Sequence, residues 1–368
     1  MGPMAEAAGP HVLGDPPRRK VPRGLFVTYG RRSAAVVLQR GRDEPRETMN
    51  NFIRPPVLHP STVVFVDDND SYLDALRRFF PDSATNLFFT RPQTALAFIR
   101  QHARKNSLEF APASACVSET GFERYMETAA ERDILARGSR FAEVAAVVVD
   151  FDMPGMNGVE FLSSISNLRC AKVLLTGVAD ETVAVKAFNA GIVDLYLRKT
   201  DTDSANRLAH FLTDAKARHC SEGGWLALGE NGLTYCDPRT RKVIDEVVAA
   251  NGIVEYYWRP EQDAILMFDR AGNPSVFVAW AEHDWISQGE IVADEDGPAD
   301  LLKQMAVREV MPIFWPNLAY RSGMTVKTLT PQTIPGWDDV FYCWTPIDRA
   351  DVGMDLMTFA QWRKERTR

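Results

Sequence analysis

Val147-Val148-Val149-Asp150-Phe151-Asp152-Met153-Pro154-Gly155-Met156-Asn157-Gly158 is the stretch that decides the fold. An apolar, β-branched run ends abruptly in two carboxylates one residue apart, and a Met-Pro turn and a glycine follow. Such a run reads as a buried strand. In open α/β sheets the chemistry gathers at the carboxyl ends of the strands. Three other features lie at matching places: the acid pair Asp67-Asp68 after an earlier strand, Thr176 after a later one, and Lys199 after the last.

Working outward, the region from residue 61 alternates regularly. Strands are expected over 62–66, 86–89, 144–150, 171–176 and 192–197. Helices are expected over 70–80, 92–102, 158–167, 180–190 and 201–218, the first capped by Asn69 or Asp70. Five strands alternating with five helices imply a parallel five-stranded sheet covered on both faces. An insertion at about 104–143 breaks the rhythm, with a charged amphipathic helix expected over 122–136. It reads equally as an added interaction surface or as decoration.

Residues 1–60 are basic and rich in Pro and Arg, as in Pro16-Pro17-Arg18-Arg19-Lys20. That composition predicts an extension that is largely disordered, with one short strand within Gly24–Gly30. Met49 offers an alternative start, which would make the upstream residues a translated extension. Residues 220–368 form a smaller α+β region. Its expected elements are a helix over 241–250, antiparallel strands over 253–258, 264–268 and 275–280, and a helix over 300–309. All eight tryptophans lie here. They suit a core more than a ligand pocket or partner surface. Glu282-His283-Asp284-Trp285 reads as a surface turn, and the positive run Arg363, Lys364, Arg366, Arg368 as a solvated helix end.

A length of 368 residues suits about two domains. With 45% hydrophobic and 25% charged residues the chain can bury a core. The net charge is −7, and residues 220–368 carry 14 Lys and Arg against 23 Asp and Glu. That balance argues against a DNA-binding output, which presents a basic face. No apolar run is long enough for a membrane span. The five cysteines are odd in number and lack CxxC spacing. They fit a reducing cytoplasm and no zinc site.

The carboxylates Asp67, Asp68, Asp150 and Asp152, gathered with Lys199 at one sheet edge, need a counter-charge. Magnesium suits an oxygen-only set and keeps several waters. Asp67, Asp68 and Asp150 offer side-chain oxygens, and Asp152 its backbone carbonyl. Asp150 is then the nucleophile toward a phosphoryl group, forming an acyl phosphate. Lys199 and the Thr176 hydroxyl stabilise the phosphoryl oxygens.

The stretch from about 61 to 218, within a domain bounded at 61–219, resembles the receiver domain of bacterial two-component response regulators. The resemblance is carried by Asp67-Asp68, the motif Asp150 to Gly158, Leu174-Leu175-Thr176-Gly177, and Tyr196-Leu197-Arg198-Lys199. It implies a flavodoxin-like (βα)5 fold. It also implies phosphorylation of Asp150 by a sensor histidine kinase or phosphotransfer protein, with Thr176 and Tyr196 as the switch pair. The C-terminal region is then an output module for protein interaction or homodimerisation. The pattern departs from the family at Thr200, where receivers usually carry a proline joined to the lysine by a cis peptide, and in the long insertion.

Asp150-x-Asp152 also resembles the nucleophile motif of haloacid-dehalogenase-type phosphatases. In that family the acid pair follows the lysine; here Asp67-Asp68 precedes it. A phosphorylation-independent scaffold or DNA-binding regulator is the remaining alternative.

Overall fold

A computed structural model of the chain describes residues 26–27, 38–39, 56–82, 84–105, 136–177, 181–221, 233–259 and 262–366. The helix expected over 122–136 lies outside these residues except at its last position. Three short strands come first: β1 (Phe26–Val27), β2 (Leu38–Gln39) and β3 (Val57–Leu58). The alternating region follows with β4 (Thr62–Val66), α1 (Asp70–Phe79), β5 (Asn86–Phe89), α2 (Pro92–His102) and β6 (Arg104–Lys105). It continues with β7 (Val144–Asp150), α3 (Gly158–Ser163), β8 (Leu168–Arg169) and β9 (Ala171–Thr176). It closes with α4 (Glu181–Asn189), β10 (Leu195–Arg198) and α5 (Ser204–Ser221).

Strands β5, β4, β7, β9 and β10 lie side by side in that order, all parallel. This is the flavodoxin-like winding 2-1-3-4-5. The β-branched strands alternate their side chains between two cores. Val63, Phe65, Val148 and Leu175 face α1 and α5, where they meet Leu73, Leu76, Leu208 and Phe211. Val64, Val66, Val149 and Leu174 face the opposite layer and meet Ala95, Ile99, Phe161 and Leu162. Burying each such Val, Leu or Phe contributes about 1.5–3 kcal/mol. Beyond β10, β2 and then β1 extend the sheet antiparallel. The strand expected within Gly24–Gly30 is therefore β1, shorter than the segment read for it.

Several boundaries differ from the expected ones, among them the helix expected over 201–218, which runs from Ser204 to Ser221. Two of the differences have a local cause. The helix expected over 158–167 stops at Ser163, where Ser163 Oγ donates to Val159 O at 2.7 Å and Ser164 Oγ to Phe161 O at 2.7 Å. Serine hydroxyls compete in this way for helix carbonyls. The last parallel strand begins at Leu195 instead of 192. Asp194 closes onto Lys172, accepting its backbone N–H at 2.9 Å.

The C-terminal region contains α6 (Leu233–Cys236), α7 (Pro238–Asn251), β11 (Ile253–Arg259), β12 (Ala264–Asp269), β13 (Pro274–Trp280), α8 (Glu282–Asp294) and α9 (Ala299–Ala306). After these come β14 (Met311–Ile313), β15 (Lys327–Leu329), β16 (Gln332–Ile334), β17 (Trp337–Pro346) and α10 (Phe359–Arg366). The sheet has six strands in the order β16-β17-β13-β12-β11-β3, not the three expected. One face packs Leu266, Val276 and Val278 against Trp285, Val292 and Met305 of α8 and α9. The other packs Trp258, Ile265 and Phe277 against Val243 and Ile244 of α7. Trp258, Trp280, Trp285 and Trp362 are all buried, so these tryptophans fill cores.

The surface turn expected at His283-Asp284 is instead the first turn of α8. The Asp284 carboxylate accepts the Ala281 N–H at 2.8 Å and pairs with His283 Nε2 at 2.9 Å. An acid at this position satisfies a helix N-terminal donor.

The two sheets are joined by more than a linker. Val57 and Leu58 fall in the segment expected to be disordered, yet they form the edge strand beside β11. After only three residues the chain enters β4. Nearby, the Arg140 guanidinium is wholly buried. It donates to Tyr257 Oη at 2.7 Å and Met357 O at 2.5 Å, and lies 3.6 Å from Glu255. Phe141 packs against Phe359 and Trp362 of α10. At the foot of the insertion, Glu143 pairs with Arg104 at 2.5 Å and with His219 at 3.1 Å. Every one of these contacts lies at the amino-terminal end of the parallel strands.

Candidate functional site

The opposite, carboxyl end of the parallel sheet gathers the residues singled out in the sequence, and strand register is what brings them together. Val66 pairs with Val149, so Asp67 and Asp150 emerge side by side. Asp150 pairs with Leu175, which sets Thr176 one step further on. Thr176 pairs with Arg198, which sets Lys199 one step beyond that. Backbone bonds continue the ladder past the strands: Lys199 N–H donates to Thr176 O at 2.8 Å and Phe151 N–H to Leu175 O at 2.7 Å.

Lys199 Nζ bridges the two central acids, 2.6 Å from Asp67 Oδ2 and 2.9 Å from Asp150 Oδ1. Asp67 Oδ1 accepts the Asn69 N–H at 2.9 Å, and Asp150 Oδ1 accepts the Phe151 N–H at 2.9 Å. Burial pushes the Asp150 carboxyl above its ordinary pKa. The Lys199 hydrogen bond opposes that shift, the charge of Asp67 adds to it, and the net result is upward. Ligand oxygens of Asp67, Asp68 and Asp150 lie within 4.8 Å of one another. Asp68 and Asp152 are exposed, whereas Asp67, Asp150 and Thr176 are buried. An all-oxygen set with one exposed member fits a hard divalent cation that retains water.

Tyr196 is buried among Leu174, Ala187 and Val193 on the α4 side of the sheet. Among the described residues the cis peptide is Trp315–Pro316, so Lys199–Thr200 is trans. Lys199 reaches both acids without the proline. The loop after Asp150 turns at Gly155, whose φ of +80° suits glycine, and returns through Gly158 N–H to Phe151 O at 2.9 Å. One site residue went unnoticed in the sequence: the ring of Tyr72 on α1 stands 4.4 Å from Lys199 Nζ. A tyrosine one turn into a helix carries no sequence signal for that contact.

In strand order and strand-end chemistry the parallel half of this chain is similar to the receiver domain of a response regulator, and an additional antiparallel domain accompanies it. The structure of the Legionella pneumophila response regulator LqsR aligns over 84% of this chain and 95% of its own, with 26% identity and a TM-score of 0.62. That coverage exceeds the receiver, so the likeness extends into the second domain. The receiver domain of the Francisella response regulator 1452 aligns over 44% of this chain and 99% of its own, at 14% identity and TM-score 0.30. A CheY-like receiver domain protein from Methanospirillum hungatei aligns over 44% and 96%, at 18% identity and TM-score 0.29. No family model and no curated protein sequence matches the chain. No helix among the described residues is long and apolar enough to cross a membrane.

Proposed function

We propose that this response regulator accepts a phosphoryl group on Asp150 from a sensor histidine kinase or a phosphotransfer protein in the cytoplasm. The observation that carries this reading is the Lys199 ammonium held between Asp150 and Asp67, with Asp68 in reach of the same point. An Asp150 oxygen attacks phosphorus. An O–P bond forms, the N–P bond of the donor phosphohistidine breaks, and the imidazole leaves with a proton. Lys199 balances the phosphoryl charge as a point charge. The Thr176 hydroxyl donates to a phosphoryl oxygen, and with Tyr196 it relays the state of the site. Asp67, Asp68, Asp150 and the carbonyl of Asp152 would hold magnesium, which when bound supplies charge neutralisation.

Receiver and output divide functionally at about residues 61–219 and 220–368. The output serves as an interaction or dimerisation module. Because a buried Arg140–Glu255–Tyr257 cluster ties it to the receiver, switching works through rearrangement at this junction and not through release of a free domain.

The test is intact mass after incubation with acetyl phosphate and magnesium. One phosphoryl adduct is expected on the wild type, lost with EDTA and in Asp150→Asn. A wild type that gains no adduct from acetyl phosphate or from a phosphorylated kinase would overturn the reading. Sustained turnover of an aryl phosphate would move the chain to the phosphatase class.

A further inference from the structure

The Lys199 ammonium has a third neighbour besides its two carboxylates: the face of Tyr72, 4.4 Å from Nζ to the ring centroid. The local fold fixes that ring. Asp67 Oδ1 accepts the Asn69 N–H, and the Asn69 side chain in turn accepts the Tyr72 N–H at 3.1 Å, capping α1. The acid pair and the ring are thus parts of one turn. Burial and the nearby charges of Asp67 and Asp150 push the Tyr72 hydroxyl up to about 12. The ring therefore stays neutral, with an electron-rich face toward the cation.

The three contacts respond differently to the chemistry. Asp67 changes its partners when a cation shares its carboxylate, and Asp150 changes charge when it is phosphorylated. The Tyr72 face changes in neither event. Resting on the phosphoacceptor reading above, we infer that Tyr72 is a positioning residue whose ring face holds Lys199 Nζ over Asp150 while the carboxylate contacts are exchanged, and so sets the rate of phosphorylation. A cation over an aromatic face is worth about 0.5–2 kcal/mol. Its loss should slow adduct formation roughly twofold to thirtyfold.

The test compares Tyr72→Phe, which keeps the ring, with Tyr72→Leu, which keeps bulk but removes the π face. The first readout is the initial rate of acetyl phosphate adduct formation in the full chain. The second is the NMR shift of the Lys199 Cε protons, which a ring face moves upfield, measured without any donor. Support is a slowed Tyr72→Leu that has lost the upfield shift, beside a Tyr72→Phe close to wild type in both. The inference is overturned if Tyr72→Leu is phosphorylated at the wild-type rate. It is also overturned if Tyr72→Phe slows as much as Tyr72→Leu, which would assign the effect to the hydroxyl. A wild type that is never phosphorylated counts against the proposed function alone, and the Lys199 shift then still decides whether the ring holds the ammonium.

Discussion

Asp150 is placed where an ionised carboxylate is useful to chemistry and costly to the fold. Its pKa is raised by burial and by the charge of Asp67, with Lys199 recovering only part. A carboxyl whose folded pKa lies above its unfolded one favours folding when protonated; that stability is present at low pH and lost as pH rises through the raised value. At neutral pH the ionised group is therefore a net cost. Asp150→Asn should raise the thermal midpoint, by about 2–4 °C for each kcal/mol relieved, and a calorimetric midpoint at or below wild type would contradict this. Ionisation also governs the nucleophile. The phosphorylation rate of the wild type should fall at low pH, because the protonated Asp150 carboxyl cannot attack phosphorus, and bound magnesium would move that fall to lower pH; a rate that rises as pH is lowered would refute it. Asp67, Asp68, Asp150, Thr176 and Lys199 were legible because strand ends project onto one edge. Tyr72 was not, because its role depends on how α1 rolls against the sheet.

The short helix α3 shows how an element holds that carboxylate in place. Asn157 and Glu160 form a reciprocal capping box, Asn157 Oδ1 accepting the Glu160 N–H at 2.9 Å and Glu160 Oε2 accepting the Asn157 N–H at 3.3 Å. At the next position a Cβ on Gly158 would stand 2.3 Å from Asp150 O and 2.6 Å from Leu174 Cδ1. The two residues should therefore respond differently. Asn157→Ala loses a cap, costs about 1 kcal/mol, and leaves phosphorylation nearly intact. Gly158→Ala overpacks at about 1–3 kcal/mol and also displaces the Asp150 backbone, so its phosphorylation rate falls. Urea unfolding and adduct rates on both variants check this, and equal phosphorylation rates would refute it. The receiver strands were readable because each is a compact apolar run between turn residues. Helix α8 was not, since Ser287, Gln288 and Gly289 interrupt its pattern, and neither was β17, which opens with the exposed acids Asp338 and Asp339.

At the scale of the whole molecule, the junction between the sheets has its own titration. No sequence pattern marked it, because Arg140 and Glu255, or His59 and Tyr257, meet only after both sheets have formed. Burial, helped by the nearby charge of Arg140, holds the His59 imidazole down at about 3. Its ring stacks on Tyr257 and stands edge-on to Phe141, between the two domains. An unfolded histidine takes up a proton near pH 6.5, whereas His59 in the folded chain resists until about pH 3. The unfolded state thus binds more protons over that window, and stability falls as pH is lowered from 6.5 toward 3. Glu143 adds to this only at lower pH. Burial pushes its carboxyl up, but the His219 hydrogen bond and the charge of Arg104 outweigh that and hold it at about 2. Its contribution is present above its ordinary value of 4.5 and lost as pH falls toward 2. The raised carboxyls of Asp150, Glu255 and Asp263 also titrate above their ordinary range, so only a variant that lacks the imidazole isolates His59. His59→Phe keeps an aromatic ring at the junction and removes the proton uptake. Relative to this variant, the wild type should lose about 1.4 kcal/mol of unfolding free energy per pH unit below 6, read from urea unfolding at pH 7, 6 and 5. Parallel curves for the two proteins would show that the junction opens to protons before the fold does, and that the domains are coupled less tightly than their buried contacts require.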